Sequence, residues 1–311
     1  MPINIQKNRL FQLSNSVTKS EAYFRARRWR NRRHCPRCKY QRKIYHLRGK
    51  RFRCTRCLFT FRDFTETYLE KVKIPFNLVL YLIHLFVLGV PAFRATKELN
   101  LSKKAIERFF RLIREAIYNH SLVELKLLSG ELEIDETMFG GRRPGKRGWG
   151  TEGKQIVFGI YQRNGKISVF PVSSRSEDTL LPLIKRYTKK ESIYYPDDWH
   201  AYVSLVLRGK HIRITKEKGK PLNEQNLNGL EGFWSYAKHW LYHYRGVPRK
   251  YFHYYLKEIE FRFNHRHEDL FEKIVQLLLT SEKPAKVTFS KPKLKLQSVY
   301  LFQDQRTKSC A

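Results

Sequence analysis

Three acidic residues stand where chemistry could be done. Asp135 lies in LEIDETMFGG, Asp197 in IYYPDDWHAY and Glu231 in NLNGLEGFWSYAKHWL. The first two end short apolar runs, and the third sits in an amphipathic helical pattern. Three gathered carboxylates repel one another unless a divalent cation neutralises them. The chain around them carries a formal net charge of +34, from 62 Lys and Arg against 28 Asp and Glu. An acidic cluster in so basic a chain is best read as a metal site facing phosphate, where each basic contact releases counterions. That chemistry is the cutting or rejoining of nucleic acid.

The elements that must position these acids follow from periodicity. ELEIDETMF (131–139) alternates, with Glu131, Glu133 and Asp135 on one face and Leu132 and Ile134 on the other. This alternation also turns Asp135 away from Glu136. QIVFGIYQRNGKISVFPV reads as two strands around an Asn-Gly turn. A helix follows from a Ser176 cap, then a short strand SIYYPDD, a helix DDWHAYVSLVL capped by Asp198, a strand KHIRIT and a long helix over 226–244. The order β-β-β-α-β-α-β-α is the ribonuclease H-like α/β layout. There the first acid lies on the first strand, the second follows the fourth, and the third projects from a helix. Leu230, Phe233, Trp234, Ala237 and Leu241 form an apolar stripe on that helix, while Asn228, Glu231, Ser235 and Lys238 share the adjacent face. Glu231 can thereby face the metals while the helix stays packed, and Lys238 is set to hold a phosphate. Two Mg²⁺ or Mn²⁺ ions about 4 Å apart would serve an in-line displacement at phosphorus.

Cys35, Cys38, Cys54 and Cys57 form two CxxC pairs, and Cys310 stands alone. Such pairs suit a tetrahedral structural zinc and a reducing compartment rather than disulfides. YQRKIYHLRGKRFRC between them reads as a hairpin turning near Gly49, which makes a zinc ribbon. RARRWRNRR, just before, reads as a DNA-backbone contact. A helix opening at Pro75, a short helix AFRATKELN, a turn and a longer helix from Ser102 give a helix-turn-helix pattern. Ser102, Lys103, Lys104, Arg108 and Arg111 lie on or near the open face of its second helix. The apolar run LVLYLIHLFVLGV at 78–90 has 13 residues, too short to span a bilayer. The N-terminus has no signal-peptide core. GGRRPGKRGWGTEGK at 140–154 offers Arg142, Arg143, Lys146 and Arg147 to a phosphate backbone.

The motifs IDETMFGG, YYPDDWHAY and LNGLEGFWSYAKHWLYHYRGV, followed by EFRFNHR, resemble those of bacterial insertion-sequence transposases of the ISXO type over roughly residues 30–280. The resemblance implies a zinc ribbon, a helical DNA-binding region and a DDE-type catalytic domain. It implies binding to the element's terminal inverted repeats, cleavage that exposes 3′-hydroxyls, and joining to target DNA. Carried over by motif, Asp135 and Asp197 are the first two acids. Glu231 is preferred as the third because Lys238 follows it at seven positions, and Asn228 remains an alternative, since Asn replaces Glu in some members. The expected divisions are a basic segment (1–34), zinc ribbon (35–70), helical DNA-binding region (71–125), catalytic domain (126–280) and basic tail (281–311). The expected partner is double-stranded DNA, bound by a homodimer or larger assembly in the bacterial cytoplasm, at the nucleoid and without a membrane. Two other readings compete: a catalytically dead regulator and a ribonuclease H-like nuclease.

Overall fold

The computed structural model describes residues 12–30, 32–123, 127–140, 154–196, 228–244 and 246–280. The chain divides into two compact units, residues 1–123 with 267–287, and residues 124–266 with 288–311.

In the first unit, helices α1 (Val17–Arg28), α2 (Phe76–Val87), α3 (Ala92–Ala95), α4 (Lys103–Val123) and α8 (Leu270–Leu279) accompany a sheet of β1 (Ile44–Leu47), β2 (Arg51–Cys54) and β3 (Thr60–Phe61). Most of the apolar run at 78–90 lies in α2, with Val79, Leu80, Leu82, Ile83 and Phe86 all buried. It begins after Pro75, which is the cap rather than the first helical residue. Phe86 meets Phe110 of α4 edge to face at 5.4 Å. No helix among the described residues is long and apolar enough to cross a membrane.

Residues 267–280 were expected in the catalytic domain, and here the structure differs. α8 packs against α1, α2 and α4. Its apolar positions Ile274, Val275 and Leu278 are fully buried, and its Glu272 accepts from Tyr23 Oη at 2.6 Å and Arg27 Nε at 2.7 Å. The segment goes where its apolar face finds partners, which order along the chain does not reveal.

The second unit is a mixed α/β layer. Its sheet has the order β6-β5-β4-β7, from β4 (Glu131–Phe139), β5 (Gln155–Gln162), β6 (Ile167–Val172) and β7 (Ile193–Pro196). β4, β5 and β6 are antiparallel, and β7 runs parallel to β4 after the crossover helix α5 (Glu177–Tyr187). The β5–β6 turn places Asn164 at φ 56°, as the Asn-Gly reading requires. On one face, α5 sets Leu180, Leu183 and Ile184 against Leu132, Ile134, Phe158 and Phe170. On the other, α6 (Asn228–Tyr242) and α7 (Arg249–Asn264) set Leu230, Phe233, Trp234, Leu256 and Ile259 against Val157, Tyr161 and Val169. With both faces covered, β5 reads as one apolar run. α7 also satisfies edge strand β6: Glu260 accepts from Val169 N, and Asn264 exchanges hydrogen bonds with both backbone groups of Ile167, each at 2.8 Å. The helix and strand expected between residues 198 and 216 lie outside the described residues, as does the basic tail.

Candidate active site

β4 carries Glu133 and Asp135 on the face that meets α6 and Glu136 on the other. Asp135 is half-buried and accepts from Trp234 Nε1 of α6 at 3.0 Å. Glu136 points to the opposite face, where Arg175 Nη2 lies 3.4 Å from its carboxylate. The strand pleat thus separates the two neighbours. β7 pairs with β4 through Pro196, directly across from Ile134. Asp197 is the next residue along the chain, and it lies outside the described residues, as do Arg142, Arg143, Lys146 and Arg147.

α6 begins beside β4. Its burial follows the apolar stripe read from the sequence: Leu230, Phe233, Trp234 and Ala237 are buried, whereas Glu231, Ser235 and Lys238 are exposed together on the adjacent face. Asn228 opens the helix, and its side chain is outside the described residues. Glu231 lies one position after Leu230 and three before Trp234, the two residues that tie α6 to β4. Its backbone is therefore fixed alongside the Glu133–Asp135 stretch.

The tie at Leu230 is Glu133, which the sequence reading left without a role. The residue is 2% exposed, and its carboxylate accepts from Leu230 N at 2.8 Å and from Arg163 Nε at 3.1 Å. It serves the start of α6 as a remote cap, an anion on the N–H groups that the first helical turn leaves open. Burial raises its pKa, opposed by Leu230 N–H, Arg163 and Gly229 N–H. Arg163 also reaches Glu131 at 3.4 Å and stacks 3.9 Å over the ring of Tyr195, on β7 two residues before Asp197. Tyr195 Oη donates to Glu131 at 3.2 Å. One guanidinium thus joins the strands that bear, or lead to, the first two acids.

Two glycines admit α6 to this position. Tyr161 and Gly159 stand across β4 from Glu133 and Asp135. A Cβ on Gly159 would lie 2.6 Å from Trp234 Cζ2, and one on Gly229 would lie 2.1 Å from Tyr161 Cε1. Neither glycine has a signature in a single sequence, because each is defined by a partner far along the chain.

In the first unit, Cys35, Cys38, Cys54 and Cys57 bring their sulfurs within 4.8 Å of one another. Cys35 and Cys57 are 3.5 Å apart, and Cys38 and Cys54 are 3.6 Å apart. Zn–S bonds of about 2.3 Å in a tetrahedron place sulfurs about 3.8 Å apart, so the group fits a structural Zn²⁺. The two knuckles have the same backbone form. Lys39 N–H bonds back to Cys35 O and Leu58 N–H to Cys54 O, with Lys39 and Leu58 at φ 59° and 57°. Burial pushes the Cys35 thiol up to about 12, so a cation is needed to hold it as thiolate. His34 packs edge-on against Trp29 at 5.0 Å, apart from the thiol group.

The arginines of RARRWRNRR are largely engaged within the protein. Arg25 and Arg33 pair with Asp63, Arg27 with Glu272, and Arg28 donates to Leu279 O and Thr65 O. These four arginines thus have partners within their own unit. Ser102, Lys103, Lys104, Arg108 and Arg111 are exposed on α4, and Ser102 Oγ caps it by accepting from Ala105 N at 3.2 Å. The preceding helix α3 has a single turn, Ala92–Ala95.

With these sites in place, the comparisons with known proteins fit them closely. An ISXO2-like transposase domain matches residues 127–264, nearly the span of the second unit. A transposase zinc-ribbon domain matches residues 18–58, including all four cysteines. An uncharacterized transposase-like protein of Haemophilus influenzae is 37% identical over 100 residues, 32% of this chain and 81% of the relative. An uncharacterized protein in transposable element ISH50 of Halobacterium salinarum is 26% identical over 262 residues, 76% of this chain and 86% of the relative. The chain belongs to the ISXO2-like transposase family.

Proposed function

We propose that the protein is a DNA transposase of the DDE type. It binds the terminal inverted repeats of its own element, cleaves the ends to give 3′-hydroxyls and joins them to target DNA. The observation that carries this reading is the tie of α6 to β4 through Leu230–Glu133 and Trp234–Asp135, with β7 ending on Pro196 across from Ile134. It supports a grouping of Glu231 with Asp135, and the strand leading to Asp197 pairs with the same β4 that bears Asp135. The sheet order, with a parallel fourth strand beside the first, supports a ribonuclease H-like fold.

Asp135, Asp197 and Glu231 would hold Mg²⁺ or Mn²⁺, with Asn228 as the alternative to Glu231. When bound, the metal activates the attacking oxygen and stabilises the leaving oxygen at phosphorus. Trp234 orients the carboxylate of Asp135. Lys238, two turns beyond Glu231 on the exposed face, holds a phosphate of the bound strand. Ser102, Lys103, Lys104 and Arg108 face the DNA end from α4, Arg142, Arg143, Lys146 and Arg147 contact the backbone near the site, and the zinc ribbon supports end binding. Synapsis of two ends calls for a dimer or larger assembly.

The test compares wild type with Asp135→Ala, Asp197→Ala and Glu231→Ala on duplexes carrying the terminal repeat, with Mg²⁺. Wild type is expected to yield 3′-hydroxyl products and strand-transfer products, and each variant to lose both while still binding the end. Equal products from wild type and Asp135→Ala would refute the site. Cleavage without strand transfer would favour a nuclease.

A further inference from the structure

We infer that Trp234 and Glu133 are positioning residues for the metal-binding carboxylates, a two-point latch that fixes α6 on the sheet. This rests on the active-site reading given under Proposed function. The latch pairs two residues of β4 with two of α6. Glu133 holds the Leu230 N–H at 2.8 Å, and Trp234 Nε1 holds Asp135 Oδ2 at 3.0 Å. The residues across the ladder from these acids, Tyr161 and Gly159, receive the same two places of the helix: Gly229 lies on the Tyr161 ring and the Trp234 indole fills the space over Gly159. Large meets small at both points, in opposite senses. The helix can neither slide by a turn nor rotate without driving an indole or a phenol into backbone.

Glu231 lies between the two points. A movement at either displaces it relative to Asp135. The indole has a second effect. A carboxylate that gives one oxygen to a fixed N–H donor is held in one orientation, and donors of this kind tune how an acid meets a metal. Trp234 is buried, 4% exposed, so its ring is held by the core. Glu133 has a different part. It is 2% exposed and engaged by Arg163 and the α6 N-terminus, so it anchors the helix and takes no metal.

The test uses the full-length, zinc-loaded protein. Trp234→Phe keeps a ring in the core and deletes the N–H. Glu133→Gln keeps an oxygen for Leu230 N and deletes the charge facing Arg163. Each is compared with wild type and Asp135→Ala in three measurements: far-UV circular dichroism with end-DNA binding, Mn²⁺ binding by electron paramagnetic resonance without DNA, and the Mn²⁺ concentration for half-maximal end cleavage. Trp234→Phe is expected to fold and bind ends like wild type. Its Mn²⁺ affinity should fall, and its half-maximal Mn²⁺ rise, by about 10–100-fold, the usual effect of losing such a partner. Glu133→Gln should shift both in the same direction, with partial retention because Leu230 N keeps its acceptor. Wild-type Mn²⁺ affinity and cleavage in a folded Trp234→Phe protein would overturn the inference. If Trp234→Phe does not fold, wild-type values in Glu133→Gln would overturn it. Should Asp135→Ala cleave like wild type, the active-site reading itself fails, a result separable from either.

Discussion

The docking of α6 can be tested by making the same substitution at two glycines of one helix. Gly229 and Gly232 both lie in α6, and replacing Gly by Ala in a helix gains about 1 kcal/mol from propensity alone. At Gly232 an added Cβ meets nothing within 4 Å. Gly232→Ala should therefore stabilise the protein by about 0.8–1 kcal/mol. At Gly229 the Cβ would stand 2.1 Å from Tyr161 Cε1 and 2.7 Å from Cδ1, whereas carbon atoms settle at about 3.5–4.0 Å. The Tyr161 ring has little room to yield, being 8% exposed and set edge-on to Phe263 at 6.0 Å. Overpacking of this kind costs about 1–3 kcal/mol. Gly229 lies in the first turn of α6, where the propensity gain is smaller, so the difference between the variants combines that lesser gain with this cost. Gly229→Ala should be less stable than Gly232→Ala by about 1–3 kcal/mol in urea unfolding. The relief of the clash needs a shift of more than about 1 Å at the start of α6, which carries Glu231 with it. End cleavage should then fall by about 100-fold, with end binding retained. Equal stabilisation by the two substitutions would show that α6 does not rest on Tyr161, and the geometry of the site would have to be redrawn.

Asp63 gathers Trp29 Nε1 at 2.7 Å, Arg25 Nε at 3.0 Å and Arg33 Nη2 at 3.1 Å. Asp63→Ala leaves the buried Trp29 N–H without this acceptor and should cost about 1–3 kcal/mol, read by chemical denaturation of the first unit. Removing zinc with a strong chelator, or making Cys35→Ser with Cys54→Ser, should unfold residues 35–57 and weaken end binding more than cleavage of pre-nicked DNA; retained end binding would count against the ribbon's role. Lys104→Ala and Arg108→Ala on α4 should each weaken end binding and lower the slope of log affinity against log salt by about 1, and an unchanged slope in both would remove α4 from the DNA interface. Lys257 is buried against Glu260 at 2.6 Å. Lys257→Ala leaves that carboxylate with the Val169 N–H and should destabilise the second unit by about 3–5 kcal/mol, measured as a lowered urea midpoint.

What could be read from the amino-acid order was whatever repeats over short distances. The two CxxC pairs announced a metal knuckle, because four sulfurs at that spacing need only a local hairpin to meet. The pleat of 131–139 told Asp135 from Glu136, because alternation is a property of the strand itself. The helical stripe of 228–241 put Glu231 and Lys238 on one exposed face, because period alone assigns faces. Tertiary structure decided what depends on distant partners. Glu133 looked like one more acid on a polar face; it became the anchor of α6 because both faces of the sheet are covered and a helix start lies over it. Trp234 read as core, and its N–H gained a role only when Asp135 arrived from another part of the chain. Gly159 and Gly229 are small because Trp234 and Tyr161 are large. RARRWRNRR read as a DNA contact by charge density, yet four of its arginines meet Asp63, Glu272 and carbonyls within their own unit. Residues 270–279 joined the first unit because their apolar face is buried there. Periodicity determines which way a side chain faces; only packing determines what it finds there.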